Sequence, residues 1–207
     1  MTLVKICGVT NLEDALAAVE AGASMLGFNF YQRSPRYISP EDARRIVERL
    51  PETVTGVGVF VNEPADEVEG VAREAGLGTV QLHGDETPEF CRGLRSLKTV
   101  KALRVRQGFD AAACALYPVD AVLLDAYAAG AFGGTGHTFD WTLARQAREQ
   151  VARLFLAGGL TPDNVAEAVR AVRPYAVDVC SGVETSPGRK SPQLMRRFVE
   201  QVRGSMQ

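Results

Sequence analysis

The 207-residue sequence predicts an α/β fold, a single-domain (β/α)8 TIM barrel spanning residues 1–207. Three observations point to it. Short apolar runs alternate with longer amphipathic stretches. The alternation repeats eight times, once in about 25 residues. Polar residues and glycine pairs gather at the ends of the apolar runs, where barrels of this class carry their sites. Strands separated by helices run parallel, and right-handed crossovers put the helices outside. The alternative is an open doubly wound sheet, but no run leads into G-x-G-x-x-G. No linker or composition break divides the chain.

The first unit pairs LVKIC with NLEDALAAVEAG, whose Leu12, Ala15, Leu16 and Val19 fall at helical spacing before Gly22 stops the helix. MLGFNF precedes SPEDARRIVERL, which Ser39 caps with Pro40 in its first turn. TGVGVFV precedes PADEVEGVAREAG, whose acidic start suits the helix macrodipole. TVQLHG precedes TPEFCRGLRSL, and TVKALRV precedes a helix in FDAAACALY. AVLLDA is followed by a long glycine-rich loop and then DWTLARQAREQ. RLFLAGG with TPDNVAEAVRAV and AVDVCSG with SPQLMRRFVEQVRG complete the eight.

Composition narrows the function. The formal net charge is −2, so nothing recommends a nucleic-acid partner. No apolar run approaches the roughly 20 residues of a membrane-spanning helix, and no signal peptide is read at the N-terminus. Cys7, Cys91, Cys114 and Cys180 form no C-x-x-C pair, which suits reduced thiols in the cytoplasm. Cys91 and Cys114, inside helical patterns, read as packing residues, and Cys180 lies near the site but also reads as packing. The two histidines, His83 and His137, argue against a histidine-rich metal site. His137 reads as a solvated loop residue.

The strand ends carry the candidate chemistry. Lys5 and Cys7 share one face of the first strand, opposite Val4 and Ile6. His83 ends the fourth strand and Asp125 the sixth, while Asp178 lies in the eighth, before Ser181. Such groups are costly to bury without partners, so their gathering at one mouth implies a polar substrate. Gly158 and Gly159 end strand seven; Ser181 and Gly182 end strand eight. In those two places barrels often hold a phosphate on backbone N–H groups.

The ordered set KICG (5–8), GFNF (27–30), SPRY (34–37), GVFVN (58–62), QLHG (81–84), LLD (123–125), GGTG with FDW (133–141), LAGGL (156–160) and DVCSGVE (178–184) runs nearly end to end. In it the chain resembles the phosphoribosylanthranilate isomerase family of tryptophan biosynthesis. Asn29 departs slightly from a strand that is often more apolar there. The resemblance implies an Amadori rearrangement of N-(5'-phosphoribosyl)anthranilate to 1-(2-carboxyphenylamino)-1-deoxy-ribulose 5-phosphate, by general acid–base catalysis without metal or redox cofactor. It implies Cys7 as base, Asp125 as acid and Arg36 on the anthranilate carboxylate. It gives Asp178 and His83 to the substrate, and Gly158, Gly159, Ser181 and Gly182 to its phosphate. Lys5, beside Cys7, is expected to favour the thiolate. Asp125 is expected to need burial or a neighbouring anion to carry a proton. The glycines of loop 127–139 are expected to let it fold over the substrate. The partner is then a small phosphorylated molecule, and the protein a monomer or homodimer in the cytoplasm.

Three other functions compete. A histidine-pathway isomerase would use an aspartate where Cys7 stands and would need two phosphate sites. Indole-glycerol-phosphate synthase relies on a lysine and glutamate set not found here. A non-catalytic phosphate-binding barrel would have no use for the acid and the base.

Overall fold

A computed structural model describes residues 1–106, 108–126 and 141–205. Eight parallel strands follow one another around a closed barrel: β1 (Leu3–Cys7), β2 (Met25–Asn29), β3 (Thr55–Phe60), β4 (Thr79–Leu82), β5 (Lys98–Val105), β6 (Ala121–Ala126), β7 (Leu154–Leu156) and β8 (Ala176–Val179). β8 closes on β1, with Ile6 beside Val179 and Lys5 beside Asp178. The expected barrel is therefore present.

Alternation along the strands makes two apolar layers. Met25, Val57, Val100, Ala102, Leu123, Phe155 and Ala176 pack together inside the barrel. Val4, Ile6, Leu26, Val80, Leu124 and Val177 belong to the larger outer layer, which includes the buried faces of the helices. The helices are α1 (Leu12–Ala21), α2 (Pro40–Val47), α3 (Ala65–Glu74), α4 (Pro88–Gly93), α5 (Trp141–Gln150), α6 (Val165–Val172) and α7 (Pro192–Gly204). Their boundaries have local causes. Ser39 caps α2 by accepting from Asp42 N–H at 3.1 Å, and Gly22 ends α1 at φ 99°.

Two stretches differ from the sequence expectation. FDAAACALY does not form an α-helix; Ala111–Leu116 is a 3₁₀ helix. The segment is short, Asp110 turns its carboxylate onto Ala112 N–H at 2.9 Å, and Pro118 follows directly. A few residues cannot repay α-helix nucleation, so the tighter turn is adopted. Between β8 and α7 the chain makes an unforeseen hairpin, β9 (Glu184–Ser186) with β10 (Arg189–Lys190). It is tied to the first βα unit: Thr10 Oγ1 donates to Gly188 C=O at 2.7 Å, and Lys190 N–H donates to Asp14 Oδ2 at 2.9 Å. Among the described residues no helix is long and apolar enough to cross a membrane. His137 and loop 127–139 lie outside the described residues.

Candidate active site

Cys7, Arg36, His83, Asp125, Gly158, Gly159, Asp178, Ser181 and Gly182 all line one cleft at the C-terminal mouth of the barrel. Every site residue expected from sequence is thus brought together. A broader groove at the opposite end runs past Thr2, Arg148 and Tyr175. Among the described residues no cysteine, histidine or carboxylate lines it.

Cys7 sits among charges. Lys5 Nζ, fully buried, donates to Asp178 Oδ1 at 2.9 Å across the β1–β8 seam. Gly27 on β2 leaves room for both β1 side chains. A Cβ there would stand 2.7 Å from Cys7 Sγ and 3.1 Å from Lys5 Nζ. A hydrogen bond from the Cys180 thiol, with Lys5 and Lys190 nearby, holds Cys7 well below the ordinary thiol value against the opposing effect of burial. The same contact and burial push Cys180 up, so Cys180 is the proton donor of the pair. Burial also opposes the charge on Lys5, but Asp178 and Cys7 outweigh it and the ammonium is stabilised. Burial pushes Asp178 up to about 6 against the pull of Lys5. Asp178 remains mostly ionised at neutral pH, and the ion pair stands.

Arg36 reaches the cleft from the β2–α2 loop. Asn29, which ends β2, organises that loop: its Oδ1 accepts from Tyr31 N–H at 3.0 Å and its Nδ2 donates to Ser34 Oγ at 3.1 Å. Ser34 Oγ in turn accepts from Arg36 N–H at 3.2 Å. The polar departure at Asn29 therefore has a local purpose. The Arg36 guanidinium donates to both oxygens of Glu184, through Nε at 2.9 Å and Nη2 at 2.8 Å. Lys190 Nζ donates to the same carboxylate at 2.8 Å and to Cys180 C=O at 3.2 Å. Burial would raise Glu184, but the two cations outweigh it and hold its carboxyl low. Two cations share one anion, which leaves one net positive charge at this wall of the cleft.

On the opposite wall His83 Nε2 lies 3.2 Å from Asp125 Oδ2, both groups being buried. The β4–α4 loop beside them is pinned from below. Lys101 Nζ donates to Leu82 C=O, Gly84 C=O and Glu86 Oε2, the last at 2.6 Å. Glu86 also accepts from Gly84 and Asn62 N–H.

The turns after β7 and β8 face the cleft together. Gly158 (φ 88°) and Gly159 (φ 63°) occupy the left-handed region that favours glycine. Asn164 locks this turn, donating through Nδ2 to Gly159 C=O at 2.9 Å and accepting from Thr161 N–H at 2.8 Å. Among the described residues the N–H groups of Gly158, Gly159, Ser181 and Gly182 donate to no protein acceptor. They form a compact set of donors suited to an anion.

The family model for N-(5'-phosphoribosyl)anthranilate isomerase matches residues 4–201. The chain belongs to that family. Its isomerase from Trichlorobacter lovleyi is 53% identical over 206 residues, covering 100% of both chains. The Citrifermentans bemidjiense isomerase is 56% identical and covers 98% of each chain. The solved isomerase of Thermotoga maritima is 46% identical, with a TM-score of 0.91 over 99% of this chain and 100% of that one. A further solved family member, 45% identical with a TM-score of 0.88, covers 99% of this chain and 100% of its own. It holds reduced 1-(o-carboxyphenylamino)-1-deoxyribulose 5-phosphate. The chain is thus an isomerase of tryptophan biosynthesis, acting on phosphoribosylanthranilate.

Three residues at or behind the isomerase cleft have no role in the sequence reading: Cys180, which lines it, and Glu184 and Lys190, which hold Arg36 from behind. Glu184 lies in the SGVE run, whose pattern assigns it no role. Lys190 lies in PGRK, and Cys180 reads as packing near the site. The signal for Glu184 and Lys190 was a buried-type acid and base flanking a Pro-Gly turn directly after a strand end.

Proposed function

We propose that this cleft performs the Amadori rearrangement by general acid–base catalysis, with Asp125 as acid and Cys7 as base. One observation carries the reading. A thiol biased towards thiolate and a buried carboxylate share one cleft with backbone N–H donors that have no protein acceptor among the described residues. Asp125 gives its proton to the furanose ring oxygen. The C1'–O bond breaks as the anilino nitrogen lone pair forms the Schiff base. The Cys7 thiolate then takes the C2' proton, and the C–H electrons form a C1'–C2' double bond while neutralising the iminium. The enolamine tautomerises to the ketone, and the thiol's proton returns to Asp125 through solvent.

Arg36 receives the anthranilate carboxylate, for which a guanidinium fork is well shaped. Asp178 accepts from sugar hydroxyls, and His83 acts at the same end of the cleft. Gly158, Gly159, Ser181 and Gly182 hold the phosphate. The partner is this phosphorylated substrate. One solved structure is of monomers generated from a dimeric isomerase of Thermotoga maritima; that parent dimer favours a homodimer here over a monomer. The expected compartment is the cytoplasm, where the thiols stay reduced.

Calorimetric titration with the reduced product analogue tests the assignments of binding and catalysis separately. Cys7→Ser should bind it within about threefold of wild type but turn over no substrate, because the base acts only in the chemical step. The analogue without its phosphate should bind at least about 100-fold more weakly, having lost several charge-assisted hydrogen bonds. Equal binding with and without the phosphate would remove the phosphate turns from the reading.

A further inference from the structure

Gln81 lies on β4 two residues before His83, so both side chains face the barrel interior. Gln81 is 1% exposed, and its Nε2 lies 2.8 Å from His83 Nδ1. An amide nitrogen can only donate, so Nδ1 must accept and carries no proton. A neutral imidazole has one N–H, which is then on Nε2 and points at Asp125 Oδ2, 3.2 Å away. A doubly protonated ring would set two donors against each other at Nδ1.

We infer that Gln81 is a positioning residue that fixes the His83 tautomer, so that His83 donates to Asp125 throughout the reaction. The inference deepens the acid role proposed for Asp125 and rests on that reading. Its consequence is directional. With Oδ2 accepting from His83, the proton that Asp125 delivers is confined to Oδ1. Once delivered, the full carboxylate charge strengthens the bond from Nε2–H. That bond grows as the proton leaves, which is the interaction that speeds a chemical step.

The surroundings of Gln81 support the assignment. Among the described residues its Oε1 has no hydrogen-bond partner. The opposite amide orientation would instead leave the two N–H donors of the amide unpaired. Orphaned donors are rarer in buried sites than carbonyls with spare lone pairs. A buried amide with an idle oxygen is a poor way to fill a barrel interior, where an aliphatic side chain would pack without that cost. Among the described residues its one side-chain bond is to His83.

Nitrogen-15 NMR of the imidazole rings reads the tautomer directly, and the chain contains only two histidines. Wild type should show protonated Nε2 and bare Nδ1 for His83, assigned by its loss in His83→Asn. Gln81→Leu removes the donor and should release the Nδ1–H form. Its kcat should fall on the order of tenfold or more, with KM for phosphoribosylanthranilate within about threefold. Gln81→Glu, nearly the same shape, presents an acceptor and should drive a proton onto Nδ1 with a similar fall in kcat. It also keeps the test open should Gln81→Leu fold poorly. Protonated Nδ1 in wild type, or wild-type kcat in Gln81→Glu, would overturn the inference. Absence of turnover in wild type would instead overturn the reading of the site, because the tautomer is measured without substrate.

Discussion

Cys7 shows how the barrel makes a buried thiol useful as a base. Burial alone would raise a thiol and leave it inert. Here the Cys180 hydrogen bond and the Lys5 ammonium reverse that direction. The thiolate form should therefore dominate at lower pH than for a free thiol, whose value is about 8.5. Alkylation of Cys7 by iodoacetamide, located by mass spectrometry, should rise with a midpoint clearly below about pH 8. Cys180→Ala removes the donor and should move the midpoint upward. A wild-type midpoint at the free-thiol value would contradict the account. Cys7 and Asp125 were legible because side chains alternate along a strand and the last inward position meets the mouth. Cys180 was not. Its contact with Cys7 exists because β8 closes on β1 in one particular register, and no local pattern reports the partner across that seam.

At the scale of elements, the β9–β10 hairpin sets the Arg36 wall of the cleft. It carries Glu184 to the guanidinium and Lys190 to Glu184, while Thr10 and Asp14 fasten its far end. Glu184→Gln keeps the shape but loses the charge that aligns Arg36. KM for the substrate should rise about tenfold, matching one lost charge-assisted contact of about 1.4 kcal/mol. Steady-state kinetics on a folded variant will check this; an unchanged KM would detach the hairpin from substrate binding. The hairpin escaped the sequence reading because strands of three and two residues have no periodicity to detect. The 3₁₀ helix after β5 departs from its helical expectation for a related reason. FDAAACALY has helical composition, but its length and the following proline decide its form. Longer units with caps, such as α1 and α2, were legible because their start and stop signals are chemical.

For the whole molecule, eight repeats of one strand–helix unit made the closed barrel readable without coordinates, since parallel strands need crossovers and eight close a ring. Closure then supplies what the repeats do not announce: an ion pair inside the ring. Lys5 and Asp178 join the first strand to the last. Asp178 has a folded value of about 6, above the ordinary aspartate value of about 3.9. Its contribution to stability is therefore full below about pH 4 and is lost as pH rises through about 6. Asn at this position does not titrate. In denaturant titrations, wild type should lose stability relative to Asp178→Asn between about pH 4 and 7, by an amount on the order of 3 kcal/mol. A pH-independent difference would mean that burial does not strain this carboxylate.

The acid–base pair at the barrel mouth is the claim on which the rest depends. Phosphoribosylanthranilate made in situ allows turnover to be followed by loss of anthranilate fluorescence, with wild type, Cys7→Ala and Asp125→Asn measured side by side. The account predicts rapid turnover by wild type and a fall of at least about 100-fold in each variant. Wild-type rates in either variant would remove that residue from the chemistry, and would contradict the division of acid and base between β6 and β1.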